Sequence, residues 1–316
     1  DEHELTAVAC KSAESAAEAE AAYPGIRVTT DYRELTAHEE IDAIDVVLPS
    51  HLHVPAAEAA LRSGKHVLLE KPMAPDMEAA ERLVSAAAES GKVVSLIHEL
   101  RCSDQWAGVK NLIVNGEVGK PQYALLNLFR FPYRTGREGW RYEPEKVGSW
   151  VLEEPIHFID LLLWYFSDLG TPTAVTAHSN HAAAGLSRDF TATFEFEDGA
   201  YGTVSQTLGG FEHHQVVEIT GSKGAVRSLW SGAMDRTDRP EFSVAYTHSA
   251  DESPHYMNLE GPSGELFEIR RYISSALNDM ETGSSVYPPE QELELMRVCL
   301  AAEQSAREDR RIELPR

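Results

Sequence analysis

The 316-residue chain has few cysteines, few basic residues relative to acidic ones, and no long apolar run. Its three cysteines, Cys10, Cys102 and Cys299, are odd in number and far apart. This argues against a disulfide framework or a zinc site and fits a reducing compartment. Lys and Arg number 28 against 51 Asp and Glu, and the resulting net charge of −23 argues against nucleic acid or an anionic membrane as a partner. The apolar runs are also too short to cross a bilayer. We therefore predict a cytoplasmic protein with neither kind of partner.

The first half of the chain alternates short apolar runs with helical segments, a pattern typical of a parallel sheet covered by helices. The pattern predicts strands at 4–10, 41–49, 65–70 and 93–98, and helices at 12–23, 55–64, 76–90 and 103–115.

After Pro121 the pattern changes to alternating strands. In the segment 191–208, Ala192, Phe194 and Phe196 share one face, and Asp198-Gly199 supplies a hairpin turn. A second hairpin is predicted at 216–229, one strong helix at 154–166, and a final helix at about 290–308. The second half is therefore predicted to be a sheet domain with added helices.

The sequence also lacks the glycine-rich turn G-x-G-x-x-G, with which a dinucleotide-binding domain usually opens. The segment 221–226 (GSKGAV) has only two glycines and lies in a predicted hairpin, so we reject it as that turn. Either the first βα unit lies outside this sequence, which also leaves a leader peptide open, or a nucleotide-binding interpretation is wrong.

One segment carries a family resemblance. Residues 46–74, VVLPSHLHVPAAEAALRSGKHVLLEKPMA, resemble the Gfo/Idh/MocA oxidoreductases, which typically show a P-N-x-x-H turn, an A-G-K-H-V strand and then E-K-P. The segment GWRYEP at 139–144 and an acid-x-x-x-His element at 153–157 extend the resemblance. It implies an α/β fold: a Rossmann-type dinucleotide-binding domain at 1–121, then an α+β domain at 122–316 with a large open, mainly antiparallel sheet.

Lys71 is the first candidate catalytic residue. It follows an interior strand with Glu70, and a charged pair there is costly to bury unless the strand opens onto a cleft. An ammonium in such a place can hydrogen-bond a substrate hydroxyl and join a proton relay, while Glu70 can pair with it or hold the nicotinamide ribose. A plain strand-end salt bridge is the alternative.

His157 is the second candidate. Glu153 precedes it by four positions, and on one continuous helix their Cβ atoms would lie about 5–6 Å apart. A carboxylate beside an imidazole keeps it basic and orients it, as a general base for an alcohol proton requires. In the family the His resembles a catalytic acid/base assisted by an Asp. Here Glu153 stands where Asp is usual and Pro155 where Gly is usual. A locally satisfied helix-start histidine is the alternative.

Cofactor choice is predicted from the end of the first strand, where Cys10-Lys11-Ser12 contains no acid. An acid at this position suits the ribose hydroxyls of NAD, and a basic residue suits the 2′-phosphate of NADP. Lys11 and Ser12 therefore favour NADP over NAD, although a solvated loop lysine would give the same pattern.

Further candidates follow from the resemblance. Cofactor contacts are expected from a turn and from an aromatic-basic pair, namely Pro49, Ser50, His53, Trp140 and Arg141. Apart from the resemblance, Arg101, Tyr133 and Arg137 are candidates for contact with a hydroxylated substrate, in addition to Lys71 and His157. His213-His214 and the scattered acids lack metal-ligand spacing, so no metal is predicted.

The resemblance implies hydride transfer between NAD(P) and a secondary alcohol or ketone of a sugar, cyclitol or sugar derivative, in a homodimer or homotetramer. Lys71 and His157, from different domains, are expected to converge on one substrate oxygen. Two alternatives stay open: a non-catalytic NAD(P)-binding sensor or scaffold, and a reductase of a non-sugar such as an imine or dihydrodiol.

Overall fold

A computed structural model of the chain describes residues 3–130, 136–181, 187–232, 237, 239–249 and 251–315. The chain divides into two units, one comprising Asp1–Ile97 and Ile273–Leu293 and the other His98–Tyr272 and Glu294–Arg316. These units are groupings by contact, and the predicted boundary at residue 121 between two domains stays a prediction.

The first part of the chain is a parallel α/β structure, as predicted. Strands β1 and β2 form one parallel pair, and β3, β4 and β5 form a separate parallel sheet in that order. The elements are β1 Ala7–Ala9, α1 Ala13–Ala22, β2 Arg27–Thr29, α2 Tyr32–Thr36, β3 Ala43–Val46, α3 His53–Arg62, β4 His66–Leu69, α4 Met77–Ser90 and β5 Val94–Leu96. The elements β2 and α2 were not predicted.

Local chemistry explains where these elements begin and end. Strand β4 is the middle strand of its sheet, and Val67 and Leu69 are completely buried. Helix α4 begins after Asp76, whose carboxylate accepts a hydrogen bond from the N–H of Ala79, and it ends at Gly91, whose φ of +64° suits glycine. The predicted helix over 76–90 is thereby confirmed to within one residue.

From residue 98 onward the chain builds a nine-stranded sheet with helices packed on it. The elements are α5 Asp104–Val114, β6 Pro121–Phe129, α6 Pro144–Val147, α7 Trp150–Glu153, α8 Ile156–Tyr165, β7 Ala174–His181, β8 Ser187–Glu195, β9 Tyr201–Thr207, β10 His213–Gly221, β11 Ala225–Gly232, β12 Glu241–Thr247, β13 His255–Tyr256, α9 Glu265–Thr282, α10 Pro289–Glu308 and β14 Ile312–Glu313. Helix α9 was not predicted.

The order of strands in this sheet is β13-β12-β11-β10-β6-β9-β8-β7-β14. Every adjacent pair is antiparallel except β6 and β9, which are parallel, so the sheet is mixed but mainly antiparallel. The two predicted hairpins are the pairs β8–β9 and β10–β11. The earliest strand, β6, therefore lies in the middle of the sheet.

Helix α8 lies close against this sheet. Gly202 of β9 allows the approach, because a Cβ there would come within 2.4 Å of Cδ1 of Leu162. The ring of Phe158 meets that of Trp106 on α5 edge-on, at 6.4 Å between centroids. The predicted helix at 154–166 is shorter than expected, since α7 ends at Glu153 and α8 begins at Ile156. Among the helices that the structure describes, none combines the length and apolar character needed to span a bilayer.

Candidate functional site

One group of candidate residues lies at the carboxyl ends of β3 and β4. Because β3, β4 and β5 are parallel, the loops that follow them leave the sheet at one edge, where nucleotides bind in open α/β sheets. Pro49 and Ser50 follow β3, and Glu70 and Lys71 follow β4. Ser50 is buried, whereas Pro49, Glu70 and Lys71 are half-buried. The structure therefore brings these four candidates to the same edge.

His53 ties the two loops together. Its imidazole is buried, with Nδ1 2.7 Å from the carbonyl oxygen of Pro72 and Nε2 2.6 Å from that of Leu48. The peptide bond between Lys71 and Pro72 is cis. Both of these contacts are to backbone oxygens, so His53 holds the loop that carries Lys71 in place. Its contact with a nucleotide stays a prediction.

The candidates Lys11 and Ser12 lie at the tip between β1 and α1. Ser12 is the N-cap of α1: its Oγ accepts a hydrogen bond from the N–H of Ser15 at 3.2 Å. Lys11 is exposed, and Cys10 donates its N–H to the carbonyl of Thr29 at 2.8 Å. Cys10, Lys11 and Ser12 carry no carboxylate, and the first acid after them is Glu14, in the first turn of α1. The preference for NADP stays a prediction. In the sequence there is no glycine-rich turn for the pyrophosphate.

A second group of candidate residues centres on His157, in the first turn of α8. Its Nδ1 lies 3.2 Å from Oε1 of Glu99, and the two side chains are 14% and 10% exposed. Glu99 belongs to a short 3₁₀ turn, Glu99–Cys102, that follows β5. A carboxylate at Nδ1 holds the proton on that nitrogen, orients the ring and favours its basic character. Glu99 was not predicted from the sequence, because 58 positions separate it from His157 and no local spacing connects the two residues.

The side chain of Glu153 forms an ion pair with Arg141, which was not predicted. Nε of Arg141 donates to Oε1 of Glu153 at 2.7 Å, and the Glu153 side chain is 2% exposed. The guanidinium of Arg141 also lies 5.1 Å from the ring centroid of Trp140. The premise that Glu153 and His157 lie on one continuous helix is wrong, because the backbone of Glu154 leaves helical geometry (φ −126°, ψ −57°) and the two residues lie on separate helices. An interaction between the two side chains stays a prediction. The catalytic role of Glu153 stays a prediction.

Arg101 is held by Asp160, one turn beyond His157 on α8. Its Nε donates to Oδ2 of Asp160 at 2.8 Å, and its Nη2 makes a second bond to Oδ1. Nδ1 of His98 lies 3.6 Å from the same Oδ2, and the guanidinium lies 5.4 Å from the ring centroid of Trp164. This two-point contact fixes the plane of the guanidinium. Its contact with a substrate stays a prediction.

The side chains of two further candidates, Tyr133 and Arg137, are not described by the structure. Tyr133 lies outside the residues that the structure describes, and Arg137 is described only through its backbone, in the 3₁₀ turn Arg137–Tyr142. Lys71 belongs to the first unit and His157 to the second, and their predicted convergence on one oxygen stays a prediction.

Comparison with known families decides what kind of protein this is. Residues 1–98 match the oxidoreductase family with an NAD-binding Rossmann fold, and residues 106–227 match the GFO/IDH/MocA C-terminal domain. The chain belongs to the Gfo/Idh/MocA family. The resemblance stated from the sequence is thereby confirmed.

Curated relatives of this Gfo/Idh/MocA chain act on sugars and cyclitols by name. It is 33% identical over 177 residues to a 1,5-anhydro-D-fructose reductase of Ensifer adhaerens, covering 55% of this chain and 50% of that protein. It is 30% identical over 188 residues to a scyllo-inositol 2-dehydrogenase (NADP(+)) of Bacillus subtilis, covering 56% of this chain and 48% of that protein. The chain thus spans about half the length of these relatives.

Solved structures of the Gfo/Idh/MocA fold match over nearly the whole chain. A levoglucosan dehydrogenase in complex with NADH and levoglucosan aligns with a TM-score of 0.80 at 21% identity, covering 99% of this chain and 91% of that one. At this identity the match confirms the predicted fold class: a Rossmann-type domain followed by a domain with a large sheet.

Proposed function

We propose that this protein is an NAD(P)-dependent oxidoreductase that interconverts a secondary alcohol and a ketone on a sugar, cyclitol or sugar derivative. The observation that carries the proposal is the contact between His157 and Glu99, because a nearly buried imidazole oriented by a carboxylate is what proton transfer from an alcohol requires. Family membership supplies the reaction class, and the names of the relatives support the substrate class.

His157 moves the proton. With Glu99 holding the proton on Nδ1, Nε2 is the basic atom, and it takes the hydroxyl proton as the alcohol becomes a ketone. A bound nicotinamide would supply the acceptor of the hydride in oxidation and its donor in reduction. In reduction, the imidazolium of His157 gives its Nε2 proton to the alkoxide oxygen. Glu99 stabilises that imidazolium while it carries the charge.

Lys71 is assigned to the substrate oxygen. An ammonium that hydrogen-bonds a ketone or alkoxide oxygen stabilises the negative charge that develops there during reduction. The contacts of His53 with the carbonyl oxygens of Pro72 and Leu48 support the assignment, because they join the loop that carries Lys71 to the loop after β3 and limit its movement. Glu70 is assigned either to a contact with the nicotinamide ribose or to an ion pair with Lys71.

NADP is the proposed cofactor, with NAD as the alternative. Cys10-Lys11-Ser12, at the end of the first strand, contains no acid to bond both ribose hydroxyls, and Lys11 supplies an ammonium that suits a 2′-phosphate. The relatives differ on this point, since the inositol dehydrogenase carries NADP(+) in its name and the levoglucosan dehydrogenase structure holds NADH. The remaining nucleotide contacts are assigned to Pro49, Ser50, Trp140 and Arg141.

A homodimer or homotetramer is proposed for the assembly. One side of the nine-stranded sheet exposes Tyr201 and Leu229, at 44% and 41% of their surface. Neighbouring hydroxyl pairs, such as Thr191 with Ser205, add polar groups that a second sheet can meet. Light scattering coupled to size exclusion measures the mass of the assembly, and a monomer at micromolar concentration would contradict this part of the proposal.

The activity is tested by NADPH and NADH oxidation against a panel of ketoses, inososes and anhydro-ketoses. We expect turnover with at least one of them, and His157→Asn should lower kcat by about 10²–10⁴-fold while leaving nucleotide affinity unchanged. His178→Asn is the matched control, because His178 is a surface histidine whose Nδ1 lies 3.8 Å from a carboxylate oxygen of Asp309.

Two outcomes oppose the proposal and identify its rivals. Tight nucleotide binding without turnover of any carbohydrate favours a non-catalytic sensor or scaffold. Turnover of an imine or dihydrodiol that is insensitive to His157→Asn favours a non-sugar reductase.

A further inference from the structure

Three metal-ligating side chains meet at the edge of the nine-stranded sheet. One ring nitrogen each of His248 and His255 and one carboxylate oxygen of Glu252 lie within 4.8 Å of one another, and all three residues are exposed. This cluster contains none of the residues assigned above to hydride transfer, cofactor or substrate.

The fold explains why these three residues come together. Tyr246 on β12 is the register partner of His255 on β13, so His248, two positions after Tyr246, falls on the same face as His255. The rings of Tyr246 and His255 stack at 5.2 Å, which limits rotation of that imidazole. The carbonyl of Ser249 accepts a hydrogen bond from the N–H of Glu252 at 3.3 Å, and this contact holds Glu252 near the two histidines.

A fourth residue steadies the cluster from another part of the chain. Nε2 of His248 lies 2.9 Å from Oε2 of Glu117, which follows α5. A carboxylate that accepts from one nitrogen of a histidine fixes the ring and its tautomer and makes the other nitrogen a better ligand; metal-binding histidines almost always have such a partner. Glu117 therefore places a positioning carboxylate behind His248.

We propose that His248, Glu252 and His255 bind a divalent first-row transition ion of the Zn²⁺ type, with water in the fourth position. Two imidazoles and one carboxylate form a donor set that this ion accepts, and a hard ion such as Mg²⁺ would instead need oxygen ligands. In a tetrahedral zinc site the ligand atoms lie about 3.3 Å apart, given zinc–nitrogen bonds of about 2.0–2.1 Å. The exposed side chains can close the difference by small rotations. The ion joins β12, β13 and the connection between them.

This site departs from the expectation of no metal. That prediction rested on His213-His214 and the scattered acids, which lack the spacing of metal ligands. The spacing His-x₃-Glu-x₂-His at 248–255 does not follow a helical or zinc-finger pattern, and only the pairing of β12 with β13 brings its members together.

The test is a titration of metal-stripped protein with ZnCl₂ by calorimetry, and with CoCl₂ by visible absorption. We expect one equivalent to bind with micromolar affinity and the Co²⁺ complex to show the intense bands of a low-coordinate site. His248→Ala and His255→Ala should each weaken binding at least tenfold, and Glu117→Gln should weaken it less.

The control is His178→Ala, which removes a surface histidine beside a carboxylate without a third donor. It should leave Zn²⁺ affinity unchanged. Circular dichroism shows whether each variant keeps its fold, and the exposure of all three ligands makes unfolding an unexpected result. The proposal is overturned if the variant lacking His248, Glu252 and His255 together still binds one equivalent with the same affinity, or if binding needs millimolar metal.

Discussion

Glu268 provides a test of how burial of a carboxyl group governs stability. Its side chain is 1% exposed at the start of α9. Oε1 accepts hydrogen bonds from the Oγ of Ser263 at 3.1 Å and from the N–H of Gly264 at 3.0 Å, whereas Oε2 is buried with no partner among the described residues. Burial dominates over these bonds and raises the pKa of Glu268 from the ordinary value of 4.5 to about 7.

The direction of the pH effect follows from proton binding. Between pH 4.5 and about 7 the folded protein holds a proton on Glu268 that the unfolded chain has released, so the free energy of unfolding falls as the pH rises through this window. A pKa difference of this size corresponds to about 3 kcal/mol, since one pH unit is worth about 1.4 kcal/mol. This stability is fully present below pH 4.5 and lost above about pH 7.

The perturbation is Glu268→Gln, which keeps the shape of the side chain and removes its charge. Urea unfolding, followed by tryptophan fluorescence, gives the free energy of unfolding of both proteins at several values between about pH 5 and pH 8.5. Trp230 is a nearby reporter, because its indole N–H donates to the carbonyl of Ser263 at 3.1 Å. We expect the stability of the variant relative to the original protein to rise by about 2.5 kcal/mol across the range, because part of the full effect lies below pH 5. Any constant cost of the amide cancels in that comparison. Parallel curves would refute the reasoning.

Three further predictions concern the candidate site. Lys71→Ala should remove most activity and change nucleotide affinity, measured by calorimetry, by no more than about tenfold or roughly 1.4 kcal/mol; unchanged turnover would contradict its role. Glu99→Gln should move the pH–rate profile of the reaction toward lower pH, because His157 loses the carboxylate that favours its charged form, whereas Glu153→Gln should move it less; equal shifts would show that Glu99 has no special part. Lys11→Glu should lower the ratio of kcat/KM for NADP over NAD, and an unaltered ratio would remove the argument for NADP.

Secondary structure in this chain was predictable where local chemistry decides it. The helix from Asp76 to Gly91 has a capping side chain at one end and a glycine at the other, and the sequence places both ends. The hairpin turn at Asp198-Gly199 is equally local, with Asp198 at a φ of +61°. Helix α9 was missed, because the amphipathic pattern of its 18 residues was not distinguished from the strands before it. The parallel pairing of β6 with β9 has no local signal.

The candidate site was predictable in part for the same reason. His53 begins helix α3 after β3, and Lys71 lies in the loop after the neighbouring strand β4, so a motif along the chain finds both of them. The pairing of His157 with Glu99 depends instead on the packing of α8 beside a turn that lies far away in sequence. The backbone also leaves helical geometry at Glu154, and Glu153 is paired with Arg141. Helical spacing alone predicts neither feature.

The position of β6 has a consequence for how the protein is made. Tyr123 on this strand pairs with Tyr201 on one side and Thr220 on the other, so the centre of the sheet cannot close until both later strands have been synthesised. Contacts between residues so distant along the chain slow folding. Until β9 and β10 have been synthesised, the apolar face of β6 stays exposed in the nascent chain. Nascent chains that end before residue 221 should therefore depend on chaperones more than chains that end after it.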